Sequence, residues 1–342
     1  MEHLLSAGKL LNENGELNEA GYAFSLVKEY RRADIKAPKS RIKEWDYYYF
    51  GDDSYGVALT IADNSYMALI SASVLDFKTK QEWTKSYMKW FTGGSLCLPS
   101  SSKDGDLFVD DEDTNRFDFK FYNKKGERHL ICKLKGLSKN NDFSCDVTLR
   151  ETSNNSMVIA TPFKGKKKHF YYNQKINLLE AKGSFRFGPI SHEFNHAYGV
   201  LDWGRGVWTY SNTWYWGSMS GAYQGHLYGF NLGYGFGDTS AASENMFFVD
   251  GKAFKLEDVT FNIPVVDGKE QYLEKWTFTD SKGNINLEFE PLIDRYSNTN
   301  ALIIQSKQHQ VFGRFSGCIK AAGKEYHFKG IIGFAEKVKN RW

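Results

Sequence analysis

Hydrophobic residues fall in short runs, broken at close intervals by turn residues. In the first half the runs are Ile42–Phe50, Tyr55–Ile61, Tyr66–Phe77, Thr84–Trp90, Arg116–Tyr122, His129–Leu134, Phe143–Leu149 and His169–Ile176. Gly51-Asp52-Asp53, Ala62-Asp63-Asn64, Asp104-Gly105 and Asn140-Asp142 are among the turns between them. A second series holds Trp214–Ser218, His226–Phe236, Met246–Val249, Ala253–Ile263, Tyr272–Thr279, Asn284–Phe289, Ala301–Gln305, Val311–Ile319 and Glu325–Ala335. Many short strands at regular spacing predict an all-β chain of antiparallel meanders closed as a sandwich or barrel. Each series has about the eight strands that close one barrel. Helical spacing occurs once: Ala20, Phe24, Leu26, Val27 and Tyr30, with Asn18 as cap, predict a helix to about Ala33 that covers a barrel end or sheet edge. The expected division is a helical segment over residues 1–36, a first barrel over 37–200 and a second over 201–342, packed tightly because no Pro- or Ser-rich linker separates them.

Leu201 to Asn245 departs from this rhythm. Four of the nine tryptophans lie between Trp203 and Trp216, and from Ser211 to Ser243 Asp238 is the one charged side chain apart from His226. With Tyr228–Gly237 as a strand, Tyr228, Phe230, Leu232, Tyr234 and Phe236 share one face, while Gly229, Asn231, Gly233, Gly235 and Gly237 share the other. A face of bare backbone means close approach by a strand, a ring or a ligand. Such a stretch can line a water-poor cavity.

Composition narrows the classes. The net charge of +3 over 342 residues is too weak to point to nucleic acid, and no apolar run is long enough for a helix to span a membrane. Cys97, Cys132, Cys145 and Cys318 form no C-x-x-C pair, and the N-terminus has no signal-peptide pattern. Together these predict a cytoplasmic protein with reduced thiols.

Candidate chemistry concentrates near the aromatic stretch. Asp202 and Arg205 flank Trp203-Gly204. In a straight strand they point to opposite faces, but Gly204 and Gly206 allow a bend that would join them as a buried ion pair. Alternatively Asp202 serves as acid or base among tryptophans that raise its pKa, and Arg205 steadies a developing anion. Asp238 reads first as a turn residue; Glu244-Asn245, entering an apolar strand, reads as the better site for proton transfer. Arg314 and Glu336 read as an inward ion pair closing the last strand, or as polar anchors for a ligand. His192-Glu193-Phe194-Asn195-His196 matches H-E-x-x-H, with Asp202 as a possible third metal ligand. Gly188-Pro189 and the β context oppose the helix that a zinc site requires, and the expected conformation is a short helical turn between domains.

Asp202-Trp203-Gly204-Arg205-Gly206-Val207-Trp208, Trp214-Tyr215-Trp216-Gly217-Ser218, Asn231-Leu232-Gly233 and Glu244-Asn245 resemble the hallmark of a bacterial domain-of-unknown-function family, number 2804. Ile42 to Tyr48, Phe312-Gly313-Arg314 and Phe334-Ala335-Glu336 match it too. More distantly, D-W-G…W-Y-W is similar to the N-W-G…W-x-W signature of tocopherol cyclases, carotenoid hydratases and polyketide cyclases, with Asp202 where those have an amide. That resemblance implies two lipocalin-like antiparallel β-barrels side by side and a cofactor-free site between them for an apolar substrate. The expected function is binding of a hydrophobic small molecule, as a cyclase, hydratase or isomerase, or alternatively as a lipid carrier; a zinc hydrolase is the third reading. Asp202, Arg205 and Glu244 are the catalytic candidates. Trp203, Trp208, Trp214, Trp216, Asn231, Tyr234, Asp238 and Asn245 are the ligand-binding candidates, and Trp203, Trp214 and Trp216 would stabilise a cation with their ring faces.

Overall fold

The computed structural model describes residues 2–301 and 304–341; of the predicted run Ala301–Gln305, Leu302 and Ile303 lie outside them. The described chain is all-β, as the turn rhythm predicts. A twelve-stranded antiparallel sheet takes residues 21–207. Its hydrogen-bonded path runs Gln81–Trp90, Met67–Asp76, Tyr55–Asp63, Ile42–Gly51, Ile190–Val207, Lys166–Phe187, Asn141–Glu151, Glu127–Ser138, Phe117–Lys124, Leu107–Asp110. A nine-stranded antiparallel sheet follows, with the order Lys252–Lys255, Met246–Val249, His226–Tyr234, Ser211–Tyr223, Lys324–Arg341, Ile304–Ala321, Ile285–Ala301, Trp276–Thr279, Thr260–Asn262.

Alternation explains the curl of the first sheet. In Phe117–Lys124 the residues Phe117, Phe119 and Phe121 are buried, while Asp118, Lys120 and Tyr122 face outward. Closing over these rings brings the first edge strand back to the last ones. The Tyr87 hydroxyl donates to the Lys135 carbonyl at 3.0 Å, and Lys89 Nζ to that of Asp110 at 2.6 Å. The second sheet curls around its own core, where Trp276, Phe278, Phe289 and Phe315 are fully buried.

No α-helix occurs among the described residues, so the helix predicted from Asn18 to Ala33 is corrected. Gly21–Ala23 instead pairs with the strand Met157–Phe163, and Lys28–Glu29 pairs with Gly8–Lys9. Only two short 3-10 turns follow, Arg32–Asp34 and Lys39–Arg41. Sheet pairing satisfies the backbone here while still burying Ala23 and Tyr30 in the first core, so tertiary pairing overrides a weak helical pattern. A Cβ at Gly21 would stand 2.4 Å from the His3 carbonyl oxygen, a close approach that only glycine permits. Residues 2 and 3 reach the second sheet: the Glu2 carboxylate accepts from Ser243 N at 2.8 Å and pairs with Lys255 at 2.6 Å, and His3 N donates to the Ala241 carbonyl.

The two sheets meet face to face. Along Ile190–Val207, Leu201 and Trp203 point into the first sheet's core, while Val200 packs among Tyr47, Tyr49, Trp216, Phe312 and Phe334 between the sheets. A second apolar patch between the sheets joins Ile159, Tyr171, Trp208, Phe236 and Phe248. Trp45 and Trp214 touch both patches, and a cavity lies beside them.

Candidate functional site

The cavity measures about 220 Å³ and is walled by Trp45, Tyr171, Trp208, Trp214, Trp216 and Phe236. The rings meet edge to face: Trp45 and Trp208 have centroids 5.2 Å apart, Trp208 and Phe236 4.7 Å, and Trp214 and Phe236 5.4 Å. Such contacts fix the wall beyond its area burial. Gly204 exists for this wall, because a Cβ there would stand 1.9 Å from the Trp45 ring.

Four charged side chains reach the same space: Lys175, Asp202, Glu244 and Glu336. Lys175 and Asp202 are register partners on adjacent strands, and alternation points both toward the second sheet. Lys175 Nζ lies 2.7 Å from Asp202 Oδ2 and 3.6 Å from the centre of the Trp216 ring. Asn173 donates to Asp202 Oδ1 at 2.6 Å. Opposite, Trp216 and Glu336 are register partners in the second sheet. Trp214 Nε1 donates to Glu336 Oε1 at 2.8 Å, and the Gln308 and Gln310 amides donate to Oε2 at 3.1 and 3.2 Å. All three donors are neutral and Glu336 is 3% exposed. Burial therefore dominates and pushes its pKa up to about 7, against the Trp214 hydrogen bond and the more distant Lys175 and Arg295 charges. Burial also raises Glu244, with Lys175 pulling the other way. Asn231 holds Glu244 through its backbone carbonyl at 2.7 Å and its carboxylate at 3.3 Å, and itself accepts the Trp216 Nε1 proton at 2.7 Å.

The structure thus brings Asp202, Glu244, Trp208, Trp214 and Trp216 to one cavity, with Asn231 directly behind it. Other candidates fall elsewhere. Asp202 and Arg205 do not pair, because the strand stays straight. Trp203 and Arg205 lie in the first sheet's core, where the Arg205 guanidinium covers the Trp203 ring at 4.3 Å and bonds Asp46 at 3.0 Å. Tyr234 faces the second core, stacked on Tyr215 at 4.5 Å. Asp238 accepts from Ser240 N in a turn, as read first from sequence. Asn245 braces backbone, accepting from Gly233 N and donating to the Glu257 carbonyl. Gly233 leaves room for Glu244, whose Oε1 would stand 2.5 Å from a Cβ there, so what approaches that bare face is a carboxylate. Arg314 binds Asp53 and the Gly330 carbonyl, not Glu336.

His192 to His196 forms neither a helix nor a helical turn; it is part of the Ile190–Val207 strand. His192 bonds Asp52 at 2.6 Å, His196 is exposed, and Asp202 is engaged at the cavity. The one-turn spacing of two histidines that the motif needs is therefore not formed. His196→Ala is expected to change stability by less than about 0.5 kcal/mol. Chemical denaturation checks this, and a larger loss would mean that His196 has a partner not seen here.

Lys175 escaped the sequence reading, although its signal was present: the strand F-Y-Y-N-Q-K-I-N sets four polar residues in an otherwise apolar run. Glu336 was read chiefly as one half of an ion pair.

No curated protein matches the chain. A solved structure from Nitrosomonas europaea, given the provisional name AttH, is similar over 92% of this chain and 98% of its own, at 12% identity and a TM-score of 0.56. It supports the fold alone. Kievitone hydratase from Nectria haematococca aligns over 98% of this chain and 97% of its own at 12% identity with a TM-score of 0.49, and CghA with Sch210972 over the same shares at 9% and 0.48. The family model for a domain of unknown function, DUF2804, matches residues 2–342, and the chain belongs to that family.

Proposed function

We propose that the chain is a cofactor-free acid–base enzyme acting on a small apolar molecule held between two lipocalin-like barrels, each built from one curled sheet. The sheet changeover at 208–210 would mark the domain boundary. The observation that carries this reading is Glu336: a buried carboxyl with a pKa of about 7, in an aromatic cavity that also holds Glu244 and Asp202. An acid poised near neutral pH is suited to give a proton, and a second carboxyl in the same cavity can take one when ionised. Oε1 has a single donor while Oε2 has two, so Oε1 has room to carry the proton. Cyclisation, hydration and isomerisation all fit such a pair. A carrier would need the rings but gains nothing from two buried carboxyls whose burial is unfavourable.

The size limits the ligand: an apolar cavity of about 150 Å³ is enough for benzene. Ala62 lines the space. Ala62→Phe is expected to fill it and remove whatever apolar molecule co-purifies, read by native mass spectrometry and solvent extraction, with far-UV circular dichroism unchanged. Retention of the same molecule by the variant would place the ligand elsewhere and end the proposal.

A further inference from the structure

The reading of the cavity as an acid–base site leaves the substrate class open, and the cations already present narrow it. An alkene protonated to a carbocation needs free aromatic faces beside it. The Trp216 face carries the Lys175 ammonium at 3.6 Å, and the Trp203 face, outside the cavity, carries Arg205 at 4.3 Å. A positive carbon formed against Trp216 would share its ring with a like charge and be repelled. The same ammonium suits a different substrate. It has three N–H bonds. Asp202 takes one and the Trp216 ring another, which leaves one for a ligand. That N–H calls for an acceptor on the molecule bound here.

We infer that the substrate is a small β,γ-unsaturated ketone whose carbonyl oxygen is received by the Lys175 ammonium while its carbon skeleton lies along the tryptophan wall. The chemistry is a proton shift. Glu244, in its ionised form, takes a proton from the α carbon, which lies between the carbonyl and the C=C bond. The C–H electron pair becomes a C=C bond, and the carbonyl π pair moves to the oxygen, where Lys175 balances the charge. Glu336 then gives its proton to the γ carbon of the dienolate, the C=C bond moves next to the carbonyl carbon and C=O reforms. Glu244 loses its new proton to water and Glu336 regains one, so the net reaction is isomerisation and no co-reactant is consumed. Asp202 positions Lys175 and does not touch the substrate.

Three probes of one shape and size class separate the possibilities at pH 6, where Glu336 is protonated: acetophenone, its alkene counterpart α-methylstyrene, and phenyltrimethylammonium as a stand-in for a carbocation. The wild-type protein is expected to bind acetophenone roughly tenfold or more tighter than either of the others. The 13C signal of carbonyl-labelled acetophenone should move downfield on binding, as a hydrogen bond from an ammonium requires. Lys175→Met should erase both the preference and the shift. Should that variant fail to fold, the wild-type ranking and the carbonyl shift decide alone. Equal or tighter binding of α-methylstyrene or phenyltrimethylammonium overturns the carbonyl inference and leaves the acid–base cavity standing. Binding of none of the three removes the ligand cavity itself, and the inference with it.

Discussion

Glu336→Gln is expected to abolish a stability loss that the wild-type protein suffers as pH rises from about 4.5 to 7. The folded chain holds this proton with a pKa of about 7, whereas an exposed Glu titrates near 4.5. Within that window the folded state binds more protons than the unfolded one, so stability falls with rising pH. Below the window both states are protonated and the contribution is full; above it both are ionised and the contribution is gone. The difference between the two limits is about 3 kcal/mol. Glutamine does not titrate, but it sets an amide against one or more of the donors from Trp214, Gln308 and Gln310. The variant should therefore be the less stable protein at pH 5 and gain on the wild type by pH 8.5. Urea denaturation at the two pH values reads this without any substrate. Parallel pH profiles would show that Glu336 titrates normally and cannot be the acid. On an identified substrate the same variant should lose about 10²–10⁴ in kcat, and the wild-type rate should decline above pH 7.

The second large effect falls on a residue that sequence alone made a catalytic candidate. Arg205 is wholly buried, and its guanidinium donates to the carbonyls of Trp45, Gly204 and Pro99 at 2.7, 2.8 and 2.7 Å as well as to Asp46. Burial pushes the Asp46 carboxyl up, and Arg205 is the chief group opposing that. Arg205→Met leaves Asp46 and three carbonyls without their donor and should cost about 3–5 kcal/mol, a large share of a typical total of about 5–15 kcal/mol. Ligand affinity of the folded fraction, measured at low temperature, should stay within about twofold, because Arg205 lies behind the strand that faces the cavity. A collapse of affinity with stability intact would restore the anion-steadying role.

These two residues also show what a sequence can and cannot reveal. The rhythm of turns carries the all-β class because it is local. The face of each residue in a straight strand is also local: Asp202 and Arg205 point apart, as the period of two requires. The glycines between and after them suggested a bend, yet Gly204 is there for the Trp45 ring and Gly206 for the Phe170 carbonyl. Both contacts are made by distant strands. The pairing of Lys175 with Asp202, and of Glu336 with Trp216, depends on strand order and register, which no local pattern specifies. H-E-x-x-H failed for a related reason. Its meaning assumes a helix, and the sheet pairing of Ile190–Val207 denies one.

The anchoring of residues 2 and 3 against Ala241, Ser243 and Lys255 bears on how the molecule is born. Residues 2 and 3 are synthesised before their final neighbours, which lie more than two hundred positions downstream. At typical synthesis rates those neighbours emerge roughly 10–50 s later. Until then the first sheet lacks both the clasp at its start and the mate for its ring-covered outer face. During that interval the nascent chain presents tryptophan to its surroundings, and the cavity takes shape only once the strand bearing Glu336 has emerged.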